Sequence, residues 1–112
     1  MDVKSVVDSR KFSPDKLAKV PLFESEKMFC DVYGVAPGQE QKPHAHEGAD
    51  KIYYVVEGVG IFKVGAEVRE VGPGNVVYAP SGVEHSVKND VGGNLTLLVF
   101  MAPHPSYPAK KA

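Results

Sequence analysis

From Lys27 onward, glycine and proline interrupt this chain every several residues. Pro37-Gly38, Gly58-Val59-Gly60, Gly65-Ala66-Glu67, Gly72-Pro73-Gly74 and Pro80-Ser81-Gly82 leave only short apolar runs between them. Those runs are Met28–Ala36, Ile52–Glu57, Ile61–Val64, Val68–Val71, Val76–Ala79, Glu84–Lys88 and Leu95–Met101, rich in β-branched and aromatic residues. None carries a helical period, and turn signals at this spacing belong to strands. The chain is therefore expected to be all-β, a single antiparallel barrel or sandwich spanning residues 27–102.

The ends read differently. Residues 1–26 form an N-terminal arm. Within it, Ser13-Pro14-Asp15 has the look of a helix start, with Ser13 as N-cap and Pro14 at the first helical position. Pro21 limits that helix, and Val20-Pro21-Leu22-Phe23 reads as a loop. The tail, residues 103–112, is expected to be extended or frayed. Tyr53–Val56 and Leu95–Phe100 show little alternation, so both of their faces need cover. One face fills the barrel. The other calls for a packed arm or a second subunit, and a homodimer is the expectation.

Composition excludes several functions. The 112 residues suit one domain. With 43% hydrophobic residues, the chain can build a core. A formal charge of -1 offers no basic excess for nucleic acid, and no helix-turn-helix segment is visible. No apolar run approaches the roughly 20 residues that span a bilayer, and the first residues lack the apolar core of a signal peptide. The single cysteine, Cys30, rules out an internal disulfide and reads as a small buried hydrophobe. A cytoplasmic location is expected.

Chemistry concentrates in two stretches. In GQEQKPHAHEGADKIYYVVEG, residues 38–58, His44 and His46 stand two apart. In extended chain, residues i and i+2 share a face, so both imidazoles can aim at one point. His85 lies in the second stretch, GNVVYAPSGVEHSVKN, residues 74–89. Three neutral imidazoles suit a divalent transition metal (Zn, Fe, Mn, Ni or Cu) with positions left open for water or substrate. The alternative is that each histidine is an ordinary surface or hydrogen-bonded residue. His104, in the proline-rich tail, stands apart.

The two stretches resemble the paired motifs of the cupin superfamily. The first family pattern is G, five residues, H-x-H, three or four residues, E, six residues, G. Here it reads Gly38, five residues, His44-Ala45-His46, four residues, Lys51, six residues, Gly58. The second is G, five residues, P-x-G, two residues, H, three residues, N. Here Gly74, Pro80-Ser81-Gly82, His85 and Asn89 match it throughout. Fifteen residues separate the motifs, as in compact single-domain cupins. The resemblance implies a jelly-roll barrel and metal ligation by His44, His46 and His85. The family's glutamate ligand is replaced by Lys51.

That replacement is the most informative departure. A lysine brings positive charge to a place where the family puts an anionic oxygen. Either Lys51 loses its proton and becomes a base or ligand, or it swings aside, or its ammonium holds an anionic ligand, or a nearby acid (Glu40, Glu47 or Asp50) takes over, with Gln39 in the same loop. An inward Lys51 is preferred, as the catalytic residue, over a rim residue paired with Asp50 or Glu47. By period two, Tyr53 and Val55 share its face. Phe62, Tyr78, Phe100 and Met101 are further candidates for the barrel wall. Tyr53 and Gln39 are the expected substrate-binding residues. The resemblance implies a metal-dependent enzyme on a small carboxylate, carbonyl or sugar-like substrate, of dioxygenase or isomerase type. A non-catalytic binding or sensing module is the second reading, and a storage role the third.

Overall fold

Alternation along residues 50–57 decides the architecture. Lys51, Tyr53 and Val55 are buried, while Ile52 and Tyr54 face the other way. A strand with one deeply buried face needs an opposing layer. The computed structural model, which describes residues 1–105, supplies it as a second sheet.

Among the described residues there are one short helix and nine strands. The helix α1 is Val6–Ser9. The strands are β1 Ala18–Ser25, β2 Met28–Val35, β3 Glu40–His44, β4 Asp50–Glu57, β5 Gly60–Val64, β6 Glu67–Val71, β7 Val76–Ala79, β8 His85–Lys88 and β9 Leu95–Ala102. They form a five-stranded sheet ordered β1-β2-β9-β4-β7 and a four-stranded sheet ordered β3-β8-β5-β6. Every pairing is antiparallel. This is the expected all-β jelly roll. Tyr33, Val35, Tyr53, Val55, Phe62, Val87, Leu95, Leu97 and Val99 fill the space between the sheets.

The N-terminal expectations need correction. Ser13 does not open a helix: its hydroxyl accepts from the Asp15 N–H at 3.3 Å, a local turn, and the chain becomes extended at Ala18. The helix sits earlier, capped by Ser5, whose hydroxyl accepts from the Asp8 N–H. Val20-Pro21-Leu22-Phe23 is no loop but part of β1. Proline is tolerated there because β1 is an edge strand, and the pairing slips between Pro21 and Phe23. The barrel wall also differs in detail. Tyr78 is 53% exposed, and Phe100 packs on the outer face of the large sheet. The expectation for the tail falls largely on residues 106–112, outside those described.

On that outer face lies a second apolar cluster of Leu22, Cys30 and Val32, with Val6, Val20, Leu98 and Phe100 against it. The arm provides the cover. Lys4 Nζ donates to the Leu22 carbonyl at 2.8 Å, and Arg10 pairs with Glu57 at 3.1 Å. Gly34 permits the close approach, since a Cβ there would run into the Lys11 carbonyl.

Candidate metal centre and its cavity

Backbone bonds stitch the two histidine stretches together. The Gly82 N–H donates to the His46 carbonyl at 2.8 Å, and the Gly48 N–H to the Ser81 hydroxyl at 2.7 Å. The Ser81 N–H donates to Asp50 Oδ1 at 2.9 Å. At the far end, the Gly38 N–H donates to the Asn89 carbonyl and the Asn89 N–H to the Gln39 carbonyl. The Asn89 amide reaches the Val35 and Gly93 carbonyls. Pairing of β3 with β8 then sets His44 directly opposite His85.

The three imidazoles converge as expected. Ring centroids are 4.9 Å apart for His44 and His46, 4.2 Å for His44 and His85, and 5.8 Å for His46 and His85. Their ligand atoms all lie within 4.8 Å of one another. His44 Nδ1 lies 2.7 Å from the Lys42 carbonyl and His85 Nδ1 lies 3.0 Å from that of Val83. A carbonyl only accepts, so both Nδ1 atoms carry the proton and both Nε2 atoms keep a lone pair. His85 Nε2 is buried and has no hydrogen-bond partner among the described residues. An orphaned buried lone pair beside two more imidazoles fits a metal ion. Burial, with further contributions from nearby cations, holds His44 and His46 below the usual imidazole range and pushes His85 down to about 4. The rings are thus neutral near pH 7, the form that binds metal.

Lys51 is buried and faces inward. Its Nζ lies 3.3 Å from Gln41 Oε1, 4.9 Å from the centre of the Tyr53 ring and 5.5 Å from that of Tyr33. Burial, then the charge of Lys19, lowers its ammonium to about 7, against an opposing pull from Asp31. Among the described residues, no acid joins the three histidines in place of the carboxylate that the resemblance implies. Asp50 is exposed and holds the Ser81 loop, Glu47 and Glu40 are exposed, and none of the three joins the histidine group.

A cavity of about 450 Å³ opens beside the histidines. His44, His46 and Lys51 line it together with Lys19, Asp31, Gln41, Glu24 and His104. His104 Nε2 meets Glu24 Oε2 at 2.9 Å. The structure does not bring Gln39 here: its carbonyl oxygen accepts from the Ala36 N–H and its amide donates to the Ser13 carbonyl. Tyr53 is fully buried with its hydroxyl donated to Gln41 Oε1 at 2.6 Å, so it reaches the cavity only through Gln41.

Sequence reasoning missed Gln41, Tyr33, Asp31 and Lys19. Asp31 and Tyr33 follow Phe29 by period two along β2, and an acid at such a position was the available signal. Gln41 had none. A bulge between Gln41 and His44 inserts one residue opposite β8, so two positions of unlike parity face the same way.

Comparison with known proteins agrees with this fold. The Cupin domain family pattern matches residues 31–101. The chain belongs to the cupin family. An uncharacterized protein of Streptomyces coelicolor is 34% identical over 91 residues, covering 80% of this cupin and 83% of its relative. The crystal structure of TT1209 from Thermus thermophilus superposes with a TM-score of 0.89 at 43% identity, covering 92% of this chain and 98% of that one. An oxalate-binding protein of Thermotoga maritima is 29% identical, over 76% of this cupin and 69% of its own length.

Proposed function

We propose that this cupin is a metal-dependent enzyme acting on a small anionic organic compound. One observation carries the reading. The unpartnered, buried Nε2 of His85 converges with His44 and His46 at the wall of a cavity that Lys51 and Lys19 also line. His44, His46 and His85 are the ligands for a divalent transition ion (Zn, Fe, Mn or Ni), which when bound supplies a Lewis acid beside the cavity. The protein side chains do the rest. Lys19 and Lys42 make the mouth attractive to a carboxylate. Lys51 accepts a proton from the bound compound when neutral and anchors negative charge when protonated. Gln41, braced by Tyr53, fixes the position of the Lys51 amine. Oxidation and isomerisation of small carboxylate, carbonyl or sugar-like compounds are the reaction classes that fit.

A non-catalytic binding role is the second reading. The Thermotoga maritima relative favours it, since its name says that it binds oxalate. Metal analysis of chelator-free protein, followed by calorimetry and turnover assays with a panel of small organic acids, separates the two. Bound metal with turnover supports the enzyme. Saturable binding of oxalate without turnover supports the module. A chain that takes up none of Fe, Mn, Ni and Zn sinks the metal reading.

The reading extends to a cytoplasmic homodimer. A reducing compartment suits the lone free thiol of Cys30. No helix among the described residues is long and apolar enough to cross a membrane. Tyr54, Val76 and Tyr78 stay exposed on the outer face of the large sheet, beside the part that the arm covers. A second copy is the expected cover.

A further inference from the structure

We propose that Lys51 is an amine nucleophile, and that the cavity captures 2-oxo acids or related carbonyl compounds as a Schiff base on its Nζ. The inference rests on the reading of the cavity as a site for small organic acids and names the substrate class within it.

The geometry has three parts. First, Lys51 is among the residues that line the cavity and is itself buried, an environment that favours the neutral, nucleophilic form of an amine. Second, it makes no ion pair with a carboxylate among the described residues. Its contacts are the long hydrogen bond to Gln41 and the faces of Tyr33 and Tyr53. These hold the Nζ in place without neutralising it. Third, a carboxyl group lines the same cavity. Asp31 projects from the inner face of β2, and the register Asp31–Val99–Tyr53 puts it two strands away and one inward position along from Lys51. Burial, then the charge of Glu24, raises the Asp31 carboxyl, so it retains a proton more readily than an exposed acid. Lys19 lies along the same wall and suits the carboxylate of a 2-oxo acid.

The step balances within these groups. The Nζ lone pair forms a bond to the carbonyl carbon, and the π pair moves to oxygen. One proton passes from nitrogen to that oxygen, giving a carbinolamine. Asp31 then protonates the hydroxyl, the C–O bond breaks, and water leaves as the nitrogen pair closes the C=N bond. The remaining N–H proton returns to Asp31. No electrons are lost, and no oxidant is needed.

Borohydride trapping tests this. The full chain is incubated with glyoxylate or pyruvate in chelator, reduced, and mapped by peptide mass spectrometry. One reduced adduct on Lys51 is expected, well ahead of labelling on exposed Lys63 and Lys88. Lys51→Arg removes it. Asp31→Asn slows its formation by about 100-fold, the usual size of a general-acid contribution. Equal labelling of exposed lysines, or an unmodified Lys51 peptide, overturns the inference. Both outcomes are read on the unaltered chain, so neither depends on whether a variant folds. Metal uptake measured on a chelator-free portion of the same protein keeps the two readings apart. Metal binding without a Lys51 adduct refutes the Schiff base alone, whereas an adduct on a chain that takes up no metal supports it and refutes the metal centre.

Discussion

At position 51 a lysine stands where the cupin motif that the sequence resembles has a glutamate, beside the three histidines. Lys51→Glu supplies an anionic oxygen to the histidine group, and metal should bind about tenfold more tightly or better, equivalent to about 1.4 kcal/mol. Calorimetry with Mn or Zn checks this, and unchanged or weaker affinity shows that the side chain does not face the ion. His85 sets the pH behaviour. Its folded value of about 4 lies below the usual 6.5, so the unfolded chain takes up a proton first as pH falls. The metal-free protein should lose stability progressively from pH 6.5 down to about 4, and no more below that from this group. His85→Gln should flatten that part of a melting-temperature profile against pH. A profile as steep as that of the unaltered chain would assign the effect to other groups.

Among the elements, β1 and β3 carry the unexpected geometry. Pro21 hides an edge strand from sequence reasoning, because the residue that breaks a central strand is harmless where its missing N–H faces outward. The β3 bulge hides Gln41 for a different reason: it reverses the in–out parity between Gln41 and His44. The arm makes its own prediction. Gly34→Val forces a side chain into the Lys11 backbone and should cost about 1–3 kcal/mol in a denaturant melt, as overpacking does. Removing residues 1–10 uncovers the cluster around Cys30, whose thiol burial and then Asp31 keep protonated and inert. Its reaction rate with a disulfide reagent should rise by about tenfold or more. A rate unchanged by the truncation would mean that the arm does not shield it.

For the molecule as a whole, the low alternation of Leu95–Phe100 asked for cover on both faces. The core supplies one, and the arm supplies part of the other through Val6 and its neighbours. The exposed remainder, where Tyr54 pairs with Val76 and Ile52 with Tyr78, is the surface the dimer reading depends on. Sedimentation velocity should give a dimer for the unaltered chain and a monomer for Tyr54→Lys with Val76→Lys. A monomer in both cases rejects this interface.

Local patterns determined much by themselves. Turn chemistry and period-two burial act over a few residues, so the all-β class, the inward face of Lys51, Tyr53 and Val55, and the histidine set were legible in the chain. Contacts across strands were decided by tertiary structure alone. Asp31 and Gln41 join Lys51 only because separate strands, one of them bulged, are brought to a common cavity. Gln39 and Tyr53 are drawn off to the Ser13 carbonyl and to Gln41 for the same reason. Spacing along a chain fixes which way a side chain points, but partners distant in sequence become known only when the sheets are paired.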